Sequence, residues 1–546
     1  MNKGRKKISY IGVFSFIFIS ICFSQPSAKY RPFDWLLFKE PGSINSISEG
    51  YEFLYIGTSY GGIYRYNLYG NQYDFPITTA QGLDNNNINS VHFDHSTGII
   101  WASSSGVLQY SYTREGDWRV IEFRDLGLRN NDRIVRLGNS KNYIWAKANA
   151  VYVKLDKSSG VLAGIYPIPD EINIIWSSSA YNEQPEIVSV LNDYALMSGW
   201  MASGSKLIDG YGRYIDITSG LIGKYNDVWI GTSDGTLFQG NKTMEAMFPT
   251  EFGIRGSNIN ALFHNDEELW IGSKGYSIGR GITKLNTRTF QTDHFDFDVT
   301  VNMNLTEIYS FYDFDNVLWV GGNSVILIFE KSENYWRTLG EERGIPNTDI
   351  TSMAGDSNFV WIGSYYGVRQ IDRKTKREDP MGFEYLFYNH PVNDLFLNDY
   401  GVWIASRTGI YLYDKNNPQI MNALSIGNSY LDFPVSQVTS IFQQNNLVYF
   451  ATNIGIVVFD TEEKFWDMAI PASDYKSLDV NDILLLGKFC FIATDRGMFR
   501  INLKSKGVRE YNFDFIGSVN TIESIGKYVW MGTSEGLIRF KWRKDH

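Results

Sequence analysis

The chain has 546 residues, 16% of them aromatic, 20% charged and 50 of them glycine. That length exceeds one ordinary domain, and the mixture fits a folded, turn-rich β protein; it does not fit a disordered or coiled-coil chain. The formal net charge of −10 argues against nucleic acid as a partner, because phosphate binding needs a basic footprint.

The first segment, MNKGRKK followed by the apolar run ISYIGVFSFIFISICF and then SQPSA, has the form of a secretory signal peptide over residues 1–24, cut near Ser24–Gln25. The alternative is an uncleaved N-terminal anchor. Cys22 raises the question of a lipoprotein, but Ile21 before it is too bulky for a good lipobox. No later segment approaches the roughly 18 apolar residues needed to cross a membrane. Cleavage would remove Lys3, Arg5, Lys6 and Lys7 and no acids, leaving 46 basic against 60 acidic residues, a net charge of −14. It would also leave one cysteine, Cys490, within the apolar run FCFIAT. A lone thiol makes no internal disulfide and reads as a buried strand position. The expected location is the periplasm or cell surface.

From there one pattern recurs along the chain. Aligned on the small residue after an aromatic–aliphatic pair, it reads LYIGTSYGG (Gly57), IIWASSSGV (Ala102), YIWAKANAV (Ala146), VWIGTSDGT (Gly231), LWIGSKGYS (Gly272) and LWVGGNSVI (Gly321). It continues as VWIGSYYGV (Gly363), VWIASRTGI (Ala405), VYFATNIGI (Ala451), CFIATDRGM (Ala493) and VWMGTSEGL (Gly532). The spacings run from 39 to 49 residues, except for one of 85 that spans two periods, so a degenerate unit is expected near residues 172–218. Each unit holds a polar, often Asn-rich loop, an apolar strand, a variable turn, the W-I-G-T strand, a tight turn with glycine, and two further strands. Four short strands per roughly 42 residues without helical periodicity is the signature of a propeller blade. Continuous apolar runs suit strands covered on both faces, and the Gly or Ala lets adjacent sheets approach. Twelve blades exceed one ring, so the predicted fold is all-β: two propellers of about six four-stranded blades each.

The chain ends bear on closure. The last unit stops at its third strand, LIRFKW, while FDWLLF (33–38) reads as a fourth strand without its own blade. Two arrangements fit. In the contiguous one, residues 30–298 form the first propeller and 299–546 the second, with FDWLLF closing the sixth blade and FQTDHFDF (290–297) the twelfth. In the inserted one, FDWLLF closes the twelfth blade directly and one propeller sits within the other. The contiguous division is the expectation adopted.

Candidate chemistry is sparse. GTSYG, GTSDG and GTSEG all match the G-x-S-x-G nucleophile elbow, but three nucleophiles at equivalent blade positions make no catalytic sense. The elbow also needs a helix after the serine, where TLFQG after Ser233 reads as a strand. HFDH (92–95) lacks the helical spacing of a zinc site. His294, Asp296 and Asp298 alternate on one strand face, which fits either a cation site or an outer blade strand. HNDEE (264–268) and DRKTKRED (372–379) read as solvated turns. No P-loop or EF-hand is present, so no cofactor or metal is implied, and no catalytic residue is assigned. Recognition is left to the turns after the W-I-G-T strand, held on a rigid frame. The candidate binding residues are Tyr60, Asp234, Tyr276, Arg280, Tyr365, Tyr366, Arg407, Arg496 and Glu535, whose tyrosines and arginines suit a glycan, a peptide or a protein partner.

The units resemble the two-component regulator propeller repeat, and GIPNTDITSMAGDSNFVWIGSYYGVRQID (344–372) carries nearly all of its pattern. The resemblance covers almost the whole chain after the leader. It implies paired propellers of the kind that form periplasmic sensors of hybrid histidine kinases and recognise carbohydrate fragments. This sequence has no second membrane span and no kinase segment. The units also resemble the propeller portion of the PorZ-type proteins of type IX secretion, which implies a secreted double propeller without a kinase; the C-terminal sorting domain of those proteins has no counterpart in this sequence. The expected function is therefore a non-enzymatic, exported binding module of the envelope, with a type IX secretion accessory as the form the second resemblance implies. The alternatives are a glycan-sensing ectodomain or a propeller lyase or glycoside hydrolase.

Overall fold

The computed structural model describes residues 30–545, apart from 114–115, 181–190, 192, 205, 224–226, 242, 275–280, 298–306, 383–389, 416, 428–430 and 432–433. The signal segment 1–24, Tyr276, Arg280 and Asp298 lie outside the described residues.

The repeated motif dictates how the sheets meet. A Cβ added at Gly272 would lie 2.4 Å from Ile308 Cγ2, and one at Gly231 would lie 2.5 Å from Ile44 Cγ2. The same holds at Gly57 against Ile88, Gly363 against Val392 and Gly532 against Ile259, at 2.7–2.8 Å. In each case the intruding aliphatic stands at or just before the start of the next sheet's inner strand, so the small residue is the socket into which the neighbouring sheet docks. The aromatic two positions earlier fills the wedge above it, as with Trp229, Trp270, Trp319, Trp361, Trp403 and Trp530, all at most 1% exposed.

Among the described residues the strands form eleven sheets, nine of them four-stranded. The apolar cores lie between sheets, one per wedge, and their order traces the architecture. Seven sheets form a closed larger ring: 258–296, 308–339, 350–378, 392–422, 440–471, 480–511 and 519–540. Their cores link each to the next, and the last returns to the first through Trp530, Ile259 and Ile271. The smaller ring holds the sheets 44–77, 90–122, 134–166 and 214–250, with the last packed back on the first through Trp229, Leu237, Ile44 and Ile47.

Two features differ from expectation. First, Trp35–Phe38 pairs antiparallel with Gly536–Phe540, Trp35 opposite Phe540, and so completes the last sheet. Thr292–Asp296, the core of FQTDHFDF, is instead the outer strand of its own sheet against Gly281–Asn286. The contiguous division at 298/299 needs both strands elsewhere, and the pairing does not supply them. The reason is local: Leu36 and Phe38 are the apolar complement of Leu537 and Trp530 in the wedge between the last sheet and the first of the larger ring. Second, the unit expected near 172–218 does not form a four-stranded sheet among the described residues. Ile175–Trp176 pairs with the inner edge of the 134–166 sheet, and Ser179–Ala180 pairs with the inner edge of the 214–250 sheet. Between them Ser178 donates its amide to Ile47 O at 2.9 Å and accepts from Ile47 N at 2.5 Å. The segment therefore crosses the middle of the smaller ring and ties three inner strands together.

Inner strands carry a further device. In most of them the residue after the first is an extra one that shifts the register against the second strand, a β-bulge. Its side chain reaches the equivalent carbonyl of the next sheet. Asn45 donates to Ile88 O (2.9 Å), Asn393 to Val438 O (2.7 Å), Asn481 to Val519 O (2.8 Å) and Asn520 to Ile259 O (3.0 Å). Thr351 and Thr218 do the same toward Val392 O and Ile44 O. The asparagines that read as loop residues are inter-sheet ties.

The chain crosses between the rings twice, at 39–43 and 251–257, and the two crossings touch where Ile254 N donates to Lys39 O at 3.4 Å. Beside them Asp296 of the larger ring takes Arg213 of the smaller ring at 3.2 Å and Arg255 of the crossing at 3.1 Å. Arg539 lies buried among Tyr528 (4.3 Å), Phe290 (5.1 Å) and Phe75 of the smaller ring (4.8 Å).

Gly272→Val drives two methyls into the Ile308 socket. It should cost about 1–3 kcal/mol, the usual range for overpacking a filled core, read as a lower urea midpoint at unchanged m-value. Ala405→Gly, which adds no volume, should cost no more than about 1 kcal/mol.

Candidate functional site

Among the described residues the turns after the W-I-G-T strands lie at the same end of their sheets, because the end of such a strand pairs with the start of the inner strand, as Ser364 does with Ile350 and Thr494 with Val480. Each turn is fixed from within. Thr494 Oγ1 donates to Gly497 O at 2.9 Å and accepts from Arg496 N at 3.3 Å. The same pair of bonds forms at Thr533 (Gly536 O, Glu535 N), Thr452 (Gly455 O, Ile454 N) and Ser364 (Gly367 O, Tyr366 N). The glycine that follows has φ between 99° and 140° at Gly367, Gly455, Gly497 and Gly536, a region closed to most side chains. In the first unit the turn is one residue longer, and Gly62 (φ 76°) takes that part in place of Gly61.

This arrangement accounts for the serines of G-x-S-x-G. Ser233 Oγ accepts from Asp216 N at 3.2 Å, Ser534 Oγ accepts from Ser518 N at 3.1 Å, and Ser59 Oγ donates to Ser43 O at 3.3 Å. All three clamp the turn to the entry of the inner strand. Asp234 is likewise occupied: it accepts from Thr232 Oγ1 at 2.6 Å, from Thr236 Oγ1 at 3.2 Å and from Thr236 N at 3.2 Å, closing its own turn.

The structure separates the nine candidate binding residues. Tyr60 and Asp234 belong to the smaller ring and border the crossing 39–43: Tyr60 packs on Gly42, and Gly235 next to Asp234 meets Pro41. Glu535 of the larger ring joins them through Lys39, at 3.0 Å. Tyr365, Tyr366, Arg407 and Arg496 stand on three turns of the larger ring, Tyr365 at 55% exposure and Tyr366 at 40%, with both arginines exposed. The two remaining candidates, Tyr276 and Arg280, lie outside the described residues.

The histidines and acids considered for metal are engaged otherwise. His92 is buried with Nε2 2.8 Å from Asn139 Oδ1, and burial holds its imidazole neutral, down to about 4. His294 Nδ1 lies 3.0 Å from Glu251, whose carboxyl is held down at about 2: burial pushes it up, but the hydrogen-bonding His294 ring and the Arg255 and Arg213 charges outweigh that push. Asp296 holds two arginines, as above. Among the described residues no three His, Cys, Asp or Glu side chains converge to hold a metal ion. Cys490 is fully buried, and burial pushes its thiol up to about 12, an inert core position.

A concavity of about 370 Å³ opens between the rings, lined by Tyr66, Gln72, Tyr73, Lys284, Asn286 and Asp293 among others. Within it Lys284 holds Asp293 at 2.8 Å and Glu268 at 3.4 Å.

Thr494→Val keeps the shape of the turn residue and removes both of its hydrogen bonds. A loss of about 1 kcal/mol is expected, together with faster amide exchange at Arg496, measurable by hydrogen–deuterium exchange.

No family model matches the chain, and no curated protein matches it in sequence. Solved structures do match in shape. PorZ, a bacterial surface component of the type IX secretion system of Porphyromonas gingivalis, is 11% identical, with a TM-score of 0.55 over 93% of this chain and 87% of that one. The extracellular domain of a B. thetaiotaomicron protein described as a hybrid two-component system is 13% identical, with a TM-score of 0.42 over 91% of this chain and 70% of that one. At this identity the likeness to PorZ is one of fold: a double array of propeller sheets.

Proposed function

We propose that this chain is an exported, non-enzymatic double propeller that serves as a binding module of the bacterial envelope. The docking surface is the turn face of the larger ring. One observation carries this reading: Tyr365, Tyr366, Arg407 and Arg496 project to solvent from turns whose backbones are locked by Thr or Ser hydroxyls. A backbone already fixed loses little entropy on binding, and aromatic rings and guanidinium groups dominate interface energetics. The middle of the smaller ring is crossed by residues 175–180, which favours the larger ring as the receptive one.

The partner we infer is a protein of the envelope. The fold shared with PorZ, itself a surface component of type IX secretion, supports a role beside that machinery. A leader at 1–24 would supply export. The division of the chain that accompanies this reading is an insertion: the smaller ring, 44–250, within a larger ring assembled from 35–38 and 258–540. The serines of the elbow-like motifs serve their own turns, which supports recognition over hydrolysis.

Tandem alanines at Tyr365 and Tyr366, combined with Arg407→Ala, should reduce capture of the partner from solubilised envelope at least tenfold and leave the melting temperature within about a degree. A glycan array hit that is lost in the same variant, with no co-purifying protein, would replace the protein partner by a sugar. Unchanged capture would remove the face from consideration.

A further inference from the structure

In the inner strands of the larger ring, one position lies opposite the small socket residue of the strand beside it: Ser352 opposite Gly363, Asp394 opposite Ala405, Ser440 opposite Ala451, Asp482 opposite Ala493 and Thr521 opposite Gly532. These five side chains follow one another around the ring as a collar. Asp394 accepts from Ser352 Oγ of the sheet before it at 2.9 Å and from Ile441 N of the sheet after it at 2.8 Å, besides Leu395 N at 2.8 Å. Asp482 accepts from Ser440 Oγ before it at 2.8 Å and from Ile522 N and Thr521 Oγ1 after it at 2.8 and 3.2 Å, besides Ile483 N at 2.8 Å. Two carboxyl groups thus fasten five consecutive sheets, 350–378 through 519–540.

The partners are hydroxyls and amides, and among the described residues the charges bearing on the pair are of the wrong sign. Asp482 acts on Asp394, and Glu523, itself 3.2 Å from His264, acts on Asp482. A buried carboxylate with no cation beside it carries a large desolvation cost. Burial, offset in part by the amide and hydroxyl donors, pushes Asp394 up to about 7 and Asp482 up to about 6 from an ordinary 3.8.

We propose that the collar is a pH-sensitive clasp: with Asp394 and Asp482 neutral it draws the five sheets together, and with both ionised it loosens the larger ring. Every hydrogen bond has a partner in either state. The neutral acid's O–H can donate to Ser352 or Ser440 Oγ while its other lone pairs still accept from the amides; on ionisation the serine hydroxyl donates instead. What changes is the buried charge. Because both groups hold protons in the native state that the unfolded chain has already released, their contribution to stability is complete below about pH 4 and is lost as pH rises through 6 and 7.

The test is the melting temperature of the full chain between about pH 5 and 8, compared with Asp394→Asn/Asp482→Asn. The wild-type melting temperature should fall by several degrees across that window, with the fall largely abolished in the double variant. Because an Asn at these positions can itself disturb folding, aspartate Cγ-labelled wild-type protein would be titrated by carbon NMR in parallel. Two carboxyls should titrate between about pH 5.5 and 7.5. A flat wild-type profile, equal slopes in wild type and variant, or aspartates that all titrate below about pH 5 would overturn the clasp.

Discussion

The structure depends on one contact, repeated: an aliphatic side chain at the start of an inner strand seated against a Gly or Ala in the neighbouring sheet. A sheet of four short strands cannot bury both its faces alone, so each is stable only as a member of a closed series. The socket sets how near two sheets come, the aromatic above it fills the space their twist leaves, and the bulged Asn or Thr bonds across to the next carbonyl. These three requirements fall within a few residues of each other, which is why the sequence can vary widely elsewhere while the motif remains visible at 39–49-residue spacing.

Much of this could be read from residue types. The socket residues, the wedge aromatics and the hairpin glycines have distinctive local signatures, and the number of clear units equals the number of sheets among the described residues. What could not be read depends on pairing at long range. IIWSSSA (174–180) looks as much like a second blade strand as IIWASSSG (99–106) does. Nothing local distinguishes the one that forms a blade from the one that lies across the ring centre. The placement of FDWLLF turned on which wedge its Leu36 and Phe38 complement, and that wedge is built from residues more than 200 positions away. The collar aspartates were hidden because an Asp beside a bulged Asn reads as loop polarity; the available signal was its recurrence at the socket-facing register.

The candidate face was legible to a similar degree. Turn positions followed from the motif, but exposure did not. Asp234 and Glu535 are taken up by a turn of their own and by Lys39, whereas Tyr365, Tyr366, Arg407 and Arg496 are exposed, Arg496 beside Asp495 at 3.6 Å. A variable residue on a rigid turn can be either a ligand contact or a turn cap, and only the geometry of its neighbours separates the two.

The seam that closes the larger ring has a mechanical side. Trp35 lies opposite Phe540 in an antiparallel pair, so the chain leading into one strand and the chain leaving the other emerge at the same end. Tension between those two segments would load the seam's hydrogen bonds one after another, as a zip is opened, and not all at once in shear. A tether at one terminus leaves the seam unloaded, whereas tethers at both would place the weakest loading geometry at the one point where the ring is closed by a non-contiguous strand. The fold is therefore suited to attachment through a single end.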